Sequence, residues 1–323
     1  MCGSSSPLHP SIERSPMRHR FLTAAVATSL ALSLSPAVAS ADPAPLTGVE
    51  LNTTVANSVA VDATFDYGAA RETGLPALKK LRGEMWDLNP YFNDSSQPGS
   101  TRLQEVARQH GLKTKEAYVN AVAIDDGLTR IAIQRAGEQY ADLSHQRPDG
   151  SDLWGAKVDG QQTWAESLGG GASLEHSIMQ GWGHGELAKL NSNRGAYASG
   201  NGHLHMMINP KNKYYGFGEV FIPGTKWGTY TAAATSETPG NSAPMATGMQ
   251  RAWLYRPAKP GENPTGLKQG TPGPVKKAPS DSAGISTGLG GSSEDINNII
   301  GIVFGILSLL GVVASIARQL GLI

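Results

Sequence analysis

The sequence predicts a fold of the α+β class because its helical and strand-like patterns fall in different parts of the chain. Apolar residues at helical spacing from Ala121 to Leu143 predict an amphipathic helix that ends near Ser144. Strand-like patterns come later and are joined by short connections, which favour antiparallel pairing in a sheet covered by helices. The remaining segments are a second helix over 174–190, strands over 203–208, 214–221 and 227–233, and a turn over 209–212.

The composition excludes several classes of function. The 27 Lys and Arg residues balance the 27 Asp and Glu residues, so no net charge draws the chain to nucleic acid. Cys2 is the only cysteine, so no internal disulfide can form and core packing or a metal must stabilise the domain. The sequence has no nucleophile elbow, phosphate-binding loop or GxGxxG motif, so nothing indicates covalent catalysis or nucleotide use.

The N-terminal segment has the order of a cleavable signal peptide. A basic cluster at Arg18–Arg20 precedes an apolar run over 21–34, and Ala39-Ser40-Ala41 fits a small-x-small cleavage site. We expect cleavage before Asp42 and export of the protein. The alternative is an uncleaved anchor, but the apolar run is shorter than the roughly 20 residues that a spanning helix needs. Met17, directly before the basic cluster, is an alternative start.

The C-terminal segment predicts a hydrophobic helix. Residues 296–317 carry no charge, and Arg318 follows them, as expected for a span that runs from outside to inside. Gly301 and Gly305 form a small-xxx-small pair that would allow a second copy to approach closely, giving a homo-oligomer. The alternatives are a helix associated with the membrane surface or with another helix, and a soluble helix docked on the domain.

These patterns divide the chain into five regions. The segment before the linker carries the helices and strands, whereas the linker is too rich in Pro, Gly and Ser to bury a core. We expect a signal region over 1–41, an N-terminal extension over 42–84, a globular domain over 85–257, a linker over 258–294 and the hydrophobic helix over 295–323.

Two histidines and two glutamates stand out within the globular domain. His145 follows the long helix, Glu166 and Glu186 lie in the tryptophan-containing segments 164–168 and 182–186, and His203 opens the segment 203–208. Imidazole and carboxylate groups together bind divalent cations such as zinc, and they also serve as acid–base pairs. The spacing alone is weak evidence, since no two of these residues form a tight ligand pair.

The segments that hold these residues resemble the bacterial type of CAP (SCP/PR-1-like) domain. Arg135-Ala136-x-Glu138 followed by Ser144-His145-Gln146-Arg147-Pro148-Asp149-Gly150 is similar to that family's helix leading into S-H-x-R-P-D-G. Three further pieces occur in the family's order and extend the resemblance to about 220. They are Ala165-Glu166-Ser167-Leu168, Trp182 with Glu186, and Gly202-His203 through Asn209-Pro210 to Gly216-Phe217-Gly218.

The resemblance implies a CAP-like α-β-α sandwich with a central antiparallel sheet and a cleft lined by His145, Glu166, Glu186 and His203. It also implies a divalent metal, zinc or another cation, held by His145 and His203. Two positions depart from the family pattern: Ala165 replaces a glycine, and Ser167 replaces an asparagine whose amide offers more hydrogen bonds than a hydroxyl.

Plainer interpretations stand beside these. His145 would interact favourably with the negative end of a helix dipole, each glutamate could be a solvated carboxylate, and His203 could be an ordinary strand histidine. His205, which a strand would place on the same face as His203, and His184 are candidate extra ligands. Trp154, Trp164, Trp182 and Trp227 suit core or wall positions.

The leading expectation for function is an exported, envelope-associated binding protein. Its His/Glu cleft would take a divalent metal, a small apolar or lipid ligand, or both, in interaction with a host or the environment. The first alternative is a metal-assisted hydrolase of peptide or envelope polymer, with Glu166 or Glu186 as the base. The second is a structural or assembly protein that acts through its C-terminal helix.

Overall fold

The computed structural model describes residues 48–245 and 247–268, which form a mixed fold of helices and one sheet. The predicted α+β class with an antiparallel sheet is confirmed. The predicted signal peptide over 1–41 and the hydrophobic helix over 295–323 lie outside the described residues. No helix within those residues has the length and apolar character needed to cross a bilayer.

Six strands form the sheet, and five of them pair antiparallel in the order β3-β5-β4-β1-β6. The two-residue β2 pairs parallel to β4. The predicted strand 214–221 is confirmed as β4, and the prediction for 227–233 overlaps β5. The strands are β1 (Ser58–Asp66), β2 (Ala123–Ile124), β3 (Ala165–Gly170), β4 (Tyr214–Phe221), β5 (Thr229–Ser236) and β6 (Met249–Pro257).

The helices described after β1 lie in the segments that separate β1, β2, β3 and β4. The predicted long helix is α5, which begins after Asp125 because that side chain accepts a hydrogen bond from the amide of Leu128. The second predicted helix is present but contains a π-helical stretch over Ser177–His184. The α-helices are α1 (Gly48–Leu51), α2 (Leu75–Leu88), α3 (Leu103–Gln109), α4 (Lys115–Asn120), α5 (Asp126–Glu138), α6 (Leu174–His176), α7 (Gly185–Ser192) and α8 (Gly202–Ile208).

Helices pack on both faces of the sheet and give two apolar clusters. One cluster joins α2, α8 and the π-helical stretch to Tyr215 and Phe217 of β4. The other joins α5 to Val220 and to β5. Gly216 lets α5 lie directly against β4, since a Cβ there would stand 2.0 Å from the carbonyl carbon of Leu128. This close approach fixes the N-terminal part of α5 relative to the sheet.

The strand predicted over 203–208 is wrong, because these residues belong to α8. Every residue from Gly202 to Ile208 is buried, so the segment has no polar face whose spacing could distinguish a helix from a strand. A short run of buried residues is ambiguous in this respect. One consequence is that His203 and His205 do not share a face.

The structured region begins earlier than the predicted boundary at residue 85. Within the predicted extension, β1 lies between β4 and β6, and α2 begins at Leu75. The alternating burial of Val59, Val61 and Ala63 is the period-two signal that indicates β1. The start of the predicted linker also contacts the domain, because Thr265 accepts a hydrogen bond from the backbone amide of Ala60 at 2.6 Å.

Candidate functional site

His145 and Glu166 form a buried pair on the sheet side of the site. His145 lies in the loop after α5, and Glu166 is the second residue of β3. The two meet with His145 Nδ1 2.9 Å from Glu166 Oε1. Burial lowers the pKa of His145, and the hydrogen bond to Glu166 only partly opposes this effect. The ring is therefore held in its neutral form.

A single arginine of α5 grips the carboxylate of Glu166 at two points. Arg135 donates from Nε to Oε2 and from Nη2 to Oε1, both at 2.8 Å. Although burial acts to raise the pKa of Glu166, the Arg135 guanidinium outweighs it and holds that pKa at about 2. Since Glu166 is ionised at any ordinary pH, it can only accept hydrogen bonds from its partners.

The same guanidinium continues into a longer ionic chain. Arg135 Nη1 donates to Glu138 Oε2 at 2.5 Å, and Arg147 Nη2 donates to Glu138 Oε1 at 2.7 Å. Gln134 adds a hydrogen bond to Glu138 at 2.9 Å. The side chains of Arg135, Glu138 and Arg147 are at most 1% exposed. This arginine ladder, Arg147–Glu138–Arg135, thus ends on the pair of Glu166 and His145.

His203 and Glu186 form a second buried pair on the helix side. His203 is the second residue of α8 and Glu186 the second residue of α7. His203 Nδ1 lies 2.7 Å from Glu186 Oε1, and the backbone amide of Leu204 donates to Glu186 Oε2 at 2.9 Å. The indole of Trp182 lies beside the His203 ring, with centroids 6.2 Å apart. Trp182 also donates to the carbonyl of Leu168 at 3.1 Å, which ties this wall to β3.

The two pairs lie near one another across the boundary between β3 and α8. Electrostatic repulsion from His203 is among the causes that lower the pKa of His145. Ser167, next to Glu166 in β3, donates from its hydroxyl to the sulfur of Met206 in α8 at 3.7 Å. Each pair uses Nδ1 of its histidine. His145 Nε2 is buried and makes no hydrogen bond within the part of the chain that the structure describes.

The candidate extra ligands lie elsewhere. His184 Nε2 is 2.6 Å from Glu84 in a half-exposed pair between the π-helical stretch and α2. His205 is buried against Phe92, with ring centroids 4.5 Å apart, and its Nε2 lies 2.7 Å from the carbonyl of Asn93. Their ring hydrogen bonds within residues 48–245 and 247–268 therefore go to Glu84 and Asn93 and not to the four residues of the site. Over residues 48–245 and 247–268, no three His, Cys, Asp or Glu side chains are grouped so as to hold a metal.

No role for Arg135, Glu138 or Arg147 was predicted from the sequence. All three belong to the segments that carry the family resemblance, where they were part of the matching motifs but were not predicted to line the cleft. A signal was present, since Arg135 and Glu138 are three positions apart on a helix that also carries Ile131, Ala132 and Ile133. Charged residues on a buried helix face need partners, and Arg147 supplies one.

Comparisons with known proteins add no assignment. No protein-family model matches the sequence, and no curated protein matches it. The two histidine–glutamate pairs are therefore the features of the molecule that bear on its function.

Proposed function

We propose that the protein is an exported, envelope-associated CAP-type protein whose two histidine–glutamate pairs form a divalent-metal-binding site rather than a catalytic one. The observation that carries this proposal is the matched use of the two rings. Each histidine turns Nδ1 to a buried carboxylate, and the Nε2 of His145 is buried without a hydrogen bond from the part of the chain that the structure describes. Helices on both faces of an antiparallel sheet are the arrangement expected of the CAP-like α-β-α sandwich.

The residues suit a metal held by two imidazoles. A histidine that binds a metal usually donates its other ring N–H to a carboxylate or carbonyl, which orients the ring. His145 and His203 both have such a carboxylate, and the buried Nε2 of His145 lacks a protein partner. A metal here would polarise a ligand oxygen. Because only two protein nitrogens would bind it, we expect weaker affinity than in a zinc site with three or four protein ligands.

The hydrolase alternative requires Glu166 or Glu186 to act as a general base. Both oxygens of Glu166 already accept hydrogen bonds, and its pKa of about 2 makes it a weak base at neutral pH. Glu186 is occupied by His203 and by the amide of Leu204. These contacts favour orienting roles for both glutamates, so we rank binding above hydrolysis.

Calorimetric titration of the purified domain with zinc tests the metal site. We expect saturable binding at neutral pH that the double variant H145A/H203A loses, while its circular dichroism spectrum is unchanged. H184A is the matched control, since it removes a histidine that also pairs with a glutamate but lies outside the site. Equal zinc affinity in the double variant and the native protein would contradict the proposal. Binding of the domain to a panel of lipids and peptides, measured with and without zinc, would identify the ligand of the site.

The proposed location depends on the terminal segments. N-terminal sequencing of the protein from the cell envelope should begin at Asp42, and retention of residues 18–34 would contradict the cleavable signal peptide. Removal of residues 296–323 should release a folded domain into the medium. A truncated protein that stays with the membrane would show that this segment is not the anchor.

A further inference from the structure

The arginine ladder, Arg147–Glu138–Arg135, is buried, and its Arg135 end reaches the carboxylate of Glu166. Arg147 donates to Glu138 from Nε and Nη2, and Arg135 donates to the same carboxylate from Nη1. Arg135 Nη2 donates to Glu166 and to the carbonyl of Ser144. The Ser144 carbonyl directly precedes His145, so one guanidinium holds both the backbone before the histidine and the carboxylate beneath its ring. An ion pair that only stabilised the fold would not need to contact both the backbone before His145 and the carboxylate beside its ring.

The convergence has a chemical consequence for His145. Two arginine donors keep Glu166 a carboxylate, and a carboxylate has no proton to give. The hydrogen bond between Glu166 Oε1 and His145 Nδ1 therefore requires the proton to reside on Nδ1. In the neutral ring this leaves the lone pair on Nε2, the buried nitrogen that has no hydrogen-bond partner among residues 48–245 and 247–268.

We propose that Arg135 is a positioning residue for His145: through Glu166 it fixes the neutral imidazole with its proton on Nδ1 and its lone pair on Nε2. Glu138 and Arg147 keep Arg135 in place. The His203 ring is independent of the ladder, because Glu186 is anchored by the backbone amide of Leu204 instead. This inference deepens the proposed metal site and rests on it, since the Nε2 lone pair is what a divalent cation would use.

The test is nitrogen NMR of the histidine rings in metal-free protein, followed by zinc titration. In the native domain we expect Nδ1 of His145 to carry the proton. R135K retains the positive charge but loses the two-point grip, so we expect a substantial population of the Nε2-protonated ring at His145 and no change at His203. Zinc affinity should fall by about 10- to 100-fold, as is typical when an outer partner of a metal ligand is changed.

R256K is the matched control. Arg256 is also buried and also makes two hydrogen bonds to one carboxylate, that of Glu262, at 2.7 and 2.6 Å. Its replacement should leave the His145 ring unchanged. If R135K does not fold, R147K, two links further from the ring, is measured in the same way and should show a smaller change in the same direction.

The outcomes separate the two proposals. A native ring protonated on Nε2, or a folded R135K with the native proton position, overturns the role of Arg135; an unchanged ring in R147K does the same where R135K is unfolded. Absence of zinc binding in the native protein, with the ring behaving as expected, overturns the metal site and leaves the positioning role intact.

Discussion

The two histidine–glutamate pairs use the same contact but are supported in different ways. On the sheet side, Glu166 is held by Arg135, which is 31 positions away and belongs to a chain of buried charges. On the helix side, Glu186 is held by a backbone amide in α8 and His203 lies beside an indole. The sheet-side pair thus depends on charge and the helix-side pair on local packing, so the two should fail under different perturbations.

The largest expected effect is loss of the ladder's central carboxylate. E138A leaves Arg135 and Arg147 buried without their shared partner, and removal of one member of a buried ion pair costs about 3–5 kcal/mol. Urea denaturation of the purified domain measures this change. E84A is the control, because the Glu84–His184 pair is half-exposed and such pairs contribute about 0–1 kcal/mol. Equal losses in the two variants would refute a special role for the ladder.

Adding a methyl group should have opposite effects at the contact between β4 and α5 and within α2. G216A places a Cβ against the backbone of Leu128, so we expect destabilisation of at least about 1–3 kcal/mol and displacement of Arg135. G83A is the matched change in α2, where the nearest atom would be 3.5 Å away. Because alanine is the better helix former, we expect G83A to raise the free energy of unfolding by about 0.5–1 kcal/mol. Thermal denaturation and zinc affinity of both variants test the contrast.

Acid should affect the sheet-side pair in two stages. Because the pKa of His145 is lowered in the folded protein, the unfolded chain binds more protons, and this histidine's contribution is complete above pH 6.5 and lost as pH falls below it. The Glu166 contribution is complete above its ordinary pKa of 4.5 and is lost as pH falls towards about 2. Urea denaturation of H145Q and the native domain from pH 8 to pH 5 should show a shallower slope in the variant. Parallel curves would contradict the assignment.

The smallest effect on stability is expected at the contact between β3 and α8, which joins the sheet side of the site to the helix side. S167A removes a hydroxyl whose partner is the weakly accepting sulfur of Met206, so we expect a loss of about 0.5 kcal/mol or less. S177A is a useful comparison, since that buried hydroxyl shares a 2.9 Å hydrogen bond with the hydroxyl of Thr231, and its loss would remove this stronger bond. A larger loss in S167A than in S177A would show that the junction of β3 and α8 is more tightly coupled than its contacts indicate.

The helix α5 and the strand β4 were predictable from the spacing of their apolar and aromatic residues, although eleven of the thirteen residues of α5 are buried and no residue of β4 is exposed. The error at His203–Ile208 arose because this segment is short, and a short buried run does not distinguish a helix from a strand. The sequence singled out the four site residues through motif resemblance, whereas it gave no indication that they divide into two pairs.

By itself, the sequence determined the balance of charge, the long helix α5 and the strand β4, and the presence of two histidines and two glutamates in recognisable motifs. Only the tertiary structure decided which glutamate serves which histidine and that Arg135 grips Glu166 across 31 positions. The physical reason is that local patterns record whether a residue is buried, while the choice of partner depends on how α5, β3, α7 and α8 meet. That meeting is set by packing over the whole sheet, including the approach of α5 that Gly216 permits.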